Sequence, residues 1–93
     1  MAVQQAGGQI LIVEDDLRLA ELTREYLASN GLAVAIEADG AQAVTRILRE
    51  QPAVVILDLM LPGEDGLSIC RNLRSQQYCG AILMLTALAD DMD

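Results

Sequence analysis

Carboxylate side chains follow two apolar segments of this sequence, at the points where strands are expected to end. Glu14, Asp15 and Asp16 come directly after residues 10–13, and Asp58 comes directly after residues 53–57. In an open α/β sheet, ligands bind in the crevice outside the carboxyl ends of the strands. Clustered oxygen ligands in such a crevice suit a hard divalent cation such as Mg²⁺. The spacing therefore predicts an acidic, cation-binding pocket.

The acidic run has a second interpretation, as a solvated helix start where negative charge favours the positive end of the helix dipole. Asp58 indicates that a solvated helix start is not the whole explanation. A second carboxylate in the same crevice would repel the first group, and a bound cation would offset that repulsion. Asp58 is also the candidate nucleophile, since carboxylates can accept a phosphoryl group and form an aspartyl phosphate. Thr86, after the fourth apolar segment, could offer its hydroxyl to a phosphoryl oxygen or be an ordinary threonine at a strand end.

The elements that must position these residues can be predicted from hydrophobic spacing. Four short apolar segments predict strands at residues 10–13, 32–36, 53–57 and 81–85. Between these strands, three sets of apolar residues follow helical spacing and predict helices: Leu19, Leu22, Tyr26 and Leu27; Ala43, Val44, Ile47 and Leu48; Leu67, Cys70 and Leu73. Strands that alternate with helices of this length imply βαβ units. We therefore expect an α/β fold, a doubly wound parallel sheet.

Start and stop signals agree with this division. Asp15 or Asp16 can cap the first helix, and Asn30-Gly31 supplies a left-handed stop. Asp39-Gly40 is a turn or cap before the second helix, which Pro52 prevents from continuing. Residues 1–9 are polar and aperiodic, and we expect a flexible arm there, followed by one domain over residues 10–93.

Composition excludes several classes of function. Fourteen acids against six arginines give a net charge of −8, with no lysine and no histidine, so direct nucleic-acid binding is not expected. No apolar run approaches the roughly 20 residues of a membrane span. Cys70 and Cys79 are expected to be reduced thiols of a cytoplasmic protein. The glycine-rich dinucleotide fingerprint and the phosphate-binding P-loop are both absent.

Three segments, in this order, resemble the receiver domain of two-component response regulators: ILIVEDD (10–16), VVILDLMLPGEDG (54–66) and ILMLTA (82–87). The resemblance implies the flavodoxin-like receiver fold and makes Asp58 the phosphoacceptor, with Mg²⁺ or Mn²⁺ as cofactor. It implies that Glu14, Asp15, Asp58 and the backbone carbonyl of Met60 hold the metal. The remaining residues it assigns are Thr86 as the switch hydroxyl, Ala87 beside the phosphoryl group, and Pro62 and Gly63 in the loop after the acceptor strand.

The family's activity would follow from these residues. A sensor histidine kinase would phosphorylate Asp58, and the product would shift a conformational equilibrium; the domain would be a signalling module rather than an enzyme, limited to autophosphorylation and autodephosphorylation. The stretch after Asp58 resembles the OmpR/PhoB class, and within it the RstA type. Such regulators carry a C-terminal DNA-binding domain, so transcriptional regulation would depend on residues that are absent here.

One departure from the family concerns the length of the resemblance. A complete receiver has five strands, whereas this chain covers about four βα units, without the family's phosphoryl-contacting lysine, its aromatic switch residue and its common dimerisation face. We therefore expect a receiver truncated after the fourth strand, with residues 81–85 as an apolar edge that promotes self-association.

Two alternative functions remain. The chain could be a non-switching interaction or self-association module that retains the receiver fold. It could also be a phosphatase or phosphotransferase resembling the haloacid dehalogenases, which carry a second aspartate two residues after the nucleophile. Met60 occupies that position here, which leaves no evident general acid and argues against the second alternative.

Overall fold

The structure, a computed structural model, describes residues 9–61 and 65–85. Strands and helices alternate in the order β1 (Gln9–Val13), α1 (Leu17–Ser29), β2 (Ala33–Glu37), α2 (Gly40–Glu50), β3 (Val54–Asp58), α3 (Gly66–Ser75) and β4 (Ala81–Leu85). The four strands form one parallel sheet with the order β2-β1-β3-β4. The α/β prediction is therefore confirmed.

The two faces of the sheet bury different helices. Leu11 and Val13 of β1 belong to a core cluster with the buried residues of α2 and α3, namely Ala43, Ile47, Ile69 and Leu73. Ile10 and Ile12, which alternate with them along the strand, pack with Ala20 of α1 on the opposite face. A strand with helices on both faces must be apolar at every position, which explains the uninterrupted segment 10–13. The sheet is therefore doubly wound.

Aspartate side chains begin each of the three helices in the described part of the chain. Asp16 accepts a hydrogen bond from the Leu19 amide (3.2 Å), and Asp39 accepts one from the Ala41 amide (2.9 Å). Asp65 accepts one from the Leu67 amide (3.2 Å). Each carboxylate satisfies an amide that lacks a partner within its own helix. The predicted caps of the first two helices are confirmed, with Asp16 rather than Asp15 in the first.

The predicted stops also lie at the helix ends. Asn30 is the C-cap of α1 and Gly31 follows with a φ of 86°, a left-handed conformation that glycine adopts without penalty. Gln51 ends α2 with a φ of 51°, and Pro52 comes next. The backbone thus turns towards β3 where the sequence predicts it.

Several predicted boundaries and burial patterns are wrong in detail. Gln9, assigned to the arm, begins β1, because it pairs with Ala33 and its carbonyl accepts a 2.9 Å hydrogen bond from the Ala53 amide. Residues 1–8 lie outside the described residues. In α3, Leu67 is 43% exposed and Ile69 is fully buried, so the buried stripe runs through Ile69 and Leu73.

Apolar side chains remain exposed on α1 and β4. On α1, the spacing of Leu19, Leu22 and Tyr26 is helical as predicted, yet all three are exposed, because Ala20 and Leu27 face the sheet. On β4, which lies at one edge of the described sheet, Leu83, Met84 and Leu85 are exposed. Within the described ranges, no helix is both long and apolar enough to cross a membrane.

Candidate functional site

The pairing of two central strands brings the predicted carboxylates together. Val13 at the end of β1 is the Cα partner of Leu57 in β3, so Glu14 and Asp58 follow at the same level of the sheet. Asp58 is the last residue of β3, whereas the sequence prediction ended this strand at Leu57. The register therefore places residues that are 44 positions apart in sequence at one edge of the sheet.

Oxygen atoms of Glu14, Asp15 and Asp58, one from each carboxylate, all lie within 4.8 Å of one another. Glu14 is 6% exposed, Asp58 is partly buried and Asp15 is exposed. The cluster is therefore open to solvent on one side while its innermost carboxylate lies in the protein. Three convergent carboxylates of this kind could hold a hard divalent cation.

Backbone hydrogen bonds fix the inner carboxylate. The Glu14 amide donates to the Glu37 carbonyl at 3.1 Å, which extends the pairing of β1 with β2 by one residue. The Asp16 amide donates to Oε2 of Glu14 at 3.0 Å. The first turn after β1 thus orients the Glu14 side chain, while Asp16 itself caps α1 rather than joining the cluster.

The candidate nucleophile is held by the turn that follows β3. Oδ1 of Asp58 accepts a hydrogen bond of 2.9 Å from the Met60 amide, an arrangement typical of aspartate in turns. The Leu59 amide donates to the Leu85 carbonyl at 3.0 Å, which ties the same turn to β4. Both the strand pairing and the turn therefore restrict the position of the Asp58 carboxylate.

The three carboxylates of the cluster would repel one another if all of them were ionised without a bound cation. Burial raises the pKa of Glu14, and the negative charges of Asp58 and Asp15 raise it further, although the hydrogen bond from the Asp16 amide lowers it. A buried carboxylate beside like charges is costly to ionise. A divalent cation at this place would reverse that cost, so the residues present fit such an ion.

The structure tests the remaining predicted site residues only in part. Met60 is 63% exposed and contributes its amide to the site; the metal-binding role of its carbonyl stays a prediction. The residues predicted for the phosphoryl contacts and the acceptor loop lie outside the described residues: Pro62, Gly63, Thr86 and Ala87. Leu85, which precedes Thr86, is the Cα partner of Asp58.

A separate polar groove of about 220 Å³ lies between β2 and α2. Its charged residues bind one another: Arg46 contacts Glu37 and Glu50, each at 3.2 Å, and Arg49 contacts Glu50 at 3.3 Å. Arg46 also donates to the Ile36 carbonyl at 2.8 Å. Since these charges are already paired, the groove has a structural role in joining α2 to β2. The carboxylate cluster is the better candidate for chemistry.

Two positions that support the site were not singled out as supports by sequence reasoning. The first is the Met60 amide, which orients the Asp58 side chain. An aspartate at a strand end often accepts a hydrogen bond from the amide two residues later, so Asp58 itself is the sequence signal for this turn. Gly66, the first residue of α3, lies against the backbone of Asp58 and Leu59. The sequence around Gly66 gives no signal of its contact with Asp58 and Leu59, because this contact depends on how α3 packs.

Comparisons with known proteins agree with this geometry. The response regulator receiver domain family matches residues 10–93. Transcriptional regulatory protein RstA of Escherichia coli (strain K12) is 48% identical over 84 residues, which are 90% of this chain and 35% of that protein. The DNA-binding response regulator MtrA of Mycolicibacterium paratuberculosis is 44% identical over 85 residues, which are 91% of this chain and 37% of that protein. The chain thus spans about a third of the length of these curated relatives.

Solved structures show the same fold. The BeF3-activated N-terminal receiver domain of Klebsiella pneumoniae RstA superposes with a TM-score of 0.81 at 44% identity, covering 90% of this chain and 71% of that one. The response regulator TrrA from Thermotoga maritima, in complex with Mg(2+)-BeF, gives a TM-score of 0.80 at 29% identity, covering 90% and 76%. With the sheet order and the acidic cluster, these matches show that the chain belongs to the receiver domain family of two-component response regulators.

Proposed function

We propose that this chain is a phosphoacceptor domain in which Asp58 takes a phosphoryl group from a sensor histidine kinase. The observation that carries the proposal is the convergence of Glu14, Asp15 and Asp58, whose carboxylate oxygens lie within 4.8 Å of one another. Acidic residues that cluster on a surface without binding a cation can all remain exposed to solvent, and none of them needs to be buried. Here Glu14 is buried with a raised pKa, a cost that a bound divalent cation would offset.

Mg²⁺, or Mn²⁺ in its place, fits this donor set. Glu14, Asp15 and Asp58 would supply carboxylate oxygens, and Met60 would supply its backbone carbonyl. When bound, the cation neutralises negative charge on the transferring phosphoryl group. The Mg(2+)-BeF complex of TrrA, a receiver of the same fold, supports this choice of ion.

Asp58 performs the covalent step in this proposal. Oδ1 accepts the hydrogen bond from the Met60 amide, and we assign Oδ2 of the same carboxylate as the attacking atom. Oδ2 forms a bond to phosphorus as the bond between phosphorus and the donor breaks, and the donor leaves with that electron pair. Thr86 and Ala87 would contact the phosphoryl oxygens, and Pro62 and Gly63 would shape the adjoining loop, as in the family.

The output of phosphorylation depends on the rest of the protein. RstA and MtrA are described as a transcriptional regulator and a DNA-binding response regulator, and this chain corresponds to about a third of each. We propose the same arrangement here: a cytoplasmic signalling domain that controls a DNA-binding domain elsewhere in the protein. Its own chemistry would be limited to autophosphorylation and autodephosphorylation.

Intact mass spectrometry tests the proposal directly. The protein is incubated with acetyl phosphate and Mg²⁺, beside Asp58→Asn and a control, Asp39→Asn. Asparagine also caps helices, so the control removes a carboxylate without removing the α2 cap. We expect a single phosphoryl adduct that requires Mg²⁺. It should form in the wild type and in Asp39→Asn and be absent in Asp58→Asn. An adduct of equal size in Asp58→Asn would contradict the assignment of the acceptor.

A second function, self-association, is favoured by a separate observation. Leu83, Met84 and Leu85 of β4 are 56%, 41% and 50% exposed, and β4 ends the described sheet on one side. Exposed apolar edge strands pair readily with other chains. We propose that, in the 93-residue chain taken by itself, a second copy pairs with this strand. Light scattering at micromolar concentration should show a mass above that of a monomer, and a monodisperse monomer would contradict this proposal.

A further inference from the structure

We infer that Gly66 is a positioning residue that keeps the Asp58 carboxylate aligned with Glu14 and Asp15. The inference rests on the proposed function and concerns how the same site is held. Gly66 is the first residue of α3, directly after the capping Asp65. It is buried, and its neighbours are the backbone and side-chain atoms of the turn that follows β3.

A methyl group at position 66 would have no room. A Cβ built there would lie 2.8 Å from Cα of Leu59, 2.9 Å from the carbonyl oxygen of Asp58 and 2.9 Å from Cδ2 of Leu59. Two of these three atoms belong to the backbone and cannot rotate away. Among the described residues, Gly31 is the glycine with a positive φ, so the requirement at Gly66 is for space and not for an unusual backbone conformation.

The packing around this contact decides which side would move. Ile69 and Leu73 anchor α3 in the core, and Leu57 anchors β3; all three are fully buried. The turn between them is less restrained, since Leu59 is only partly buried and Met60 is 63% exposed. A side chain at position 66 would therefore push the backbone of residues 58–60 rather than displace α3.

Displacement of this turn would act on the acceptor itself. The Met60 amide, which donates to Oδ1 of Asp58, belongs to the turn, and so does the Leu59 amide, which donates to Leu85. The Asp58 carboxylate would move with them and lose its alignment with Glu14 and Asp15. Misplacement of a reacting group by about 1 Å can cost about 100-fold in rate.

Gly80 offers a matched control at the opposite end of the sheet. A Cβ there would collide with the ring and hydroxyl of Tyr78 and lie 2.8 Å from the Pro52 carbonyl oxygen, so Gly80→Ala inserts the same methyl group into a contact that is at least as tight. Pro52 precedes β3, and Gly80 precedes β4, whereas the carboxylates lie at the other ends of these strands. Both variants should lose thermal stability, but only Gly66→Ala should alter the site.

The decisive experiment measures Mn²⁺ affinity by electron paramagnetic resonance and the rate of phosphoryl uptake from acetyl phosphate by intact mass, in the wild type, Gly66→Ala and Gly80→Ala. Gly66→Ala is expected to lower both by about tenfold or more, while Gly80→Ala stays within about twofold of the wild type. Equal effects of the two variants, or none in Gly66→Ala, would overturn the inference. Lack of uptake by the wild type would instead refute the proposed function.

Leu59→Ala keeps the inference testable if Gly66→Ala does not fold. This variant removes the Leu59 side chain that contacts Gly66 and adds no methyl group, so it loosens the turn without crowding it. Phosphoryl uptake should fall severalfold, with circular dichroism that matches the wild type. Unchanged uptake in a folded Leu59→Ala protein would show that the contact with Gly66 does not position Asp58, and would overturn the inference.

Discussion

The Met60 amide donates a hydrogen bond of 2.9 Å to Oδ1 of Asp58, so the acceptor carboxylate is oriented by the backbone of the residue two positions later. The Met60 side chain is largely exposed. Met60→Pro removes the donor, whereas Met60→Ala retains it. We expect Met60→Pro to slow phosphoryl uptake from acetyl phosphate by about tenfold, the equivalent of about 1.4 kcal/mol, measured by intact mass over time.

Met60→Ala is the control for this hydrogen bond. It should take up the phosphoryl group at nearly the wild-type rate, because both proposed contributions of Met60 to the site come from its backbone. Circular dichroism of Met60→Pro must match the wild type for the comparison to hold. A slow Met60→Ala variant would show that the side chain, and not the amide, governs the reaction.

The raised pKa of Glu14 predicts how stability depends on pH in the metal-free protein. Burial and the neighbouring carboxylates raise this pKa above its ordinary value of 4.5, so the folded state binds the proton more tightly than the unfolded state does. The stabilisation from this proton is complete below pH 4.5 and is lost as pH rises through the folded-state pKa. Glu14→Gln should therefore melt at a higher temperature than the wild type at pH 7 without divalent cation.

Divalent cation should reverse the order of the two proteins. Mg²⁺ that binds only the folded state raises the melting temperature of the wild type, by an amount that grows with the logarithm of its affinity. Glu14→Gln, which lacks one anionic ligand, should gain less. Melting curves at pH 5, 6 and 7, with and without Mg²⁺, measure both effects, and equal pH dependence in the two metal-free proteins would contradict the role assigned to Glu14.

Two leucines of equal size separate core packing from surface exposure. Leu73 of α3 is fully buried, whereas Leu22 of α1 is 58% exposed. Leu73→Ala should lower the free energy of unfolding by about 2–5 kcal/mol, and Leu22→Ala should change it by less than about 0.5 kcal/mol. Urea denaturation measures both values. A large loss in Leu22→Ala would show that this face of α1 is packed in solution.

The sequence predicts the elements of this fold well because their signals are local. The uninterrupted apolar segment of β1, the cap at Asp39 and the stop at Gly31 each depend on residues within one turn of the chain. Burial on helices is predicted less well, because it depends on which neighbours are present. Leu67 and Ile69 are both apolar, and only the way α3 packs on the sheet determines that Ile69 is the buried one.

The same distinction holds for the site. The carboxylates were predictable, since a charged residue at the end of an apolar strand is visible in the sequence and parallel pairing brings such ends together. Their mutual distance and the burial of Glu14 are not visible, because they depend on the register of Val13 with Leu57. The contact of Gly66 with the acceptor turn requires the three-dimensional structure for the same reason.

The exposed edge at β4 predicts that charge placed there will suppress self-association. Leu83 lies in the middle of this strand and is 56% exposed. Leu83→Arg should reduce the mass measured by light scattering to that of a monomer, because a charged side chain at a sheet edge opposes pairing with another strand. Leu22→Arg adds the same charge at a similarly exposed position on α1 and should leave the mass unchanged. If Leu22→Arg alone gives the monomer, the copies associate through α1 and the assignment to β4 is wrong.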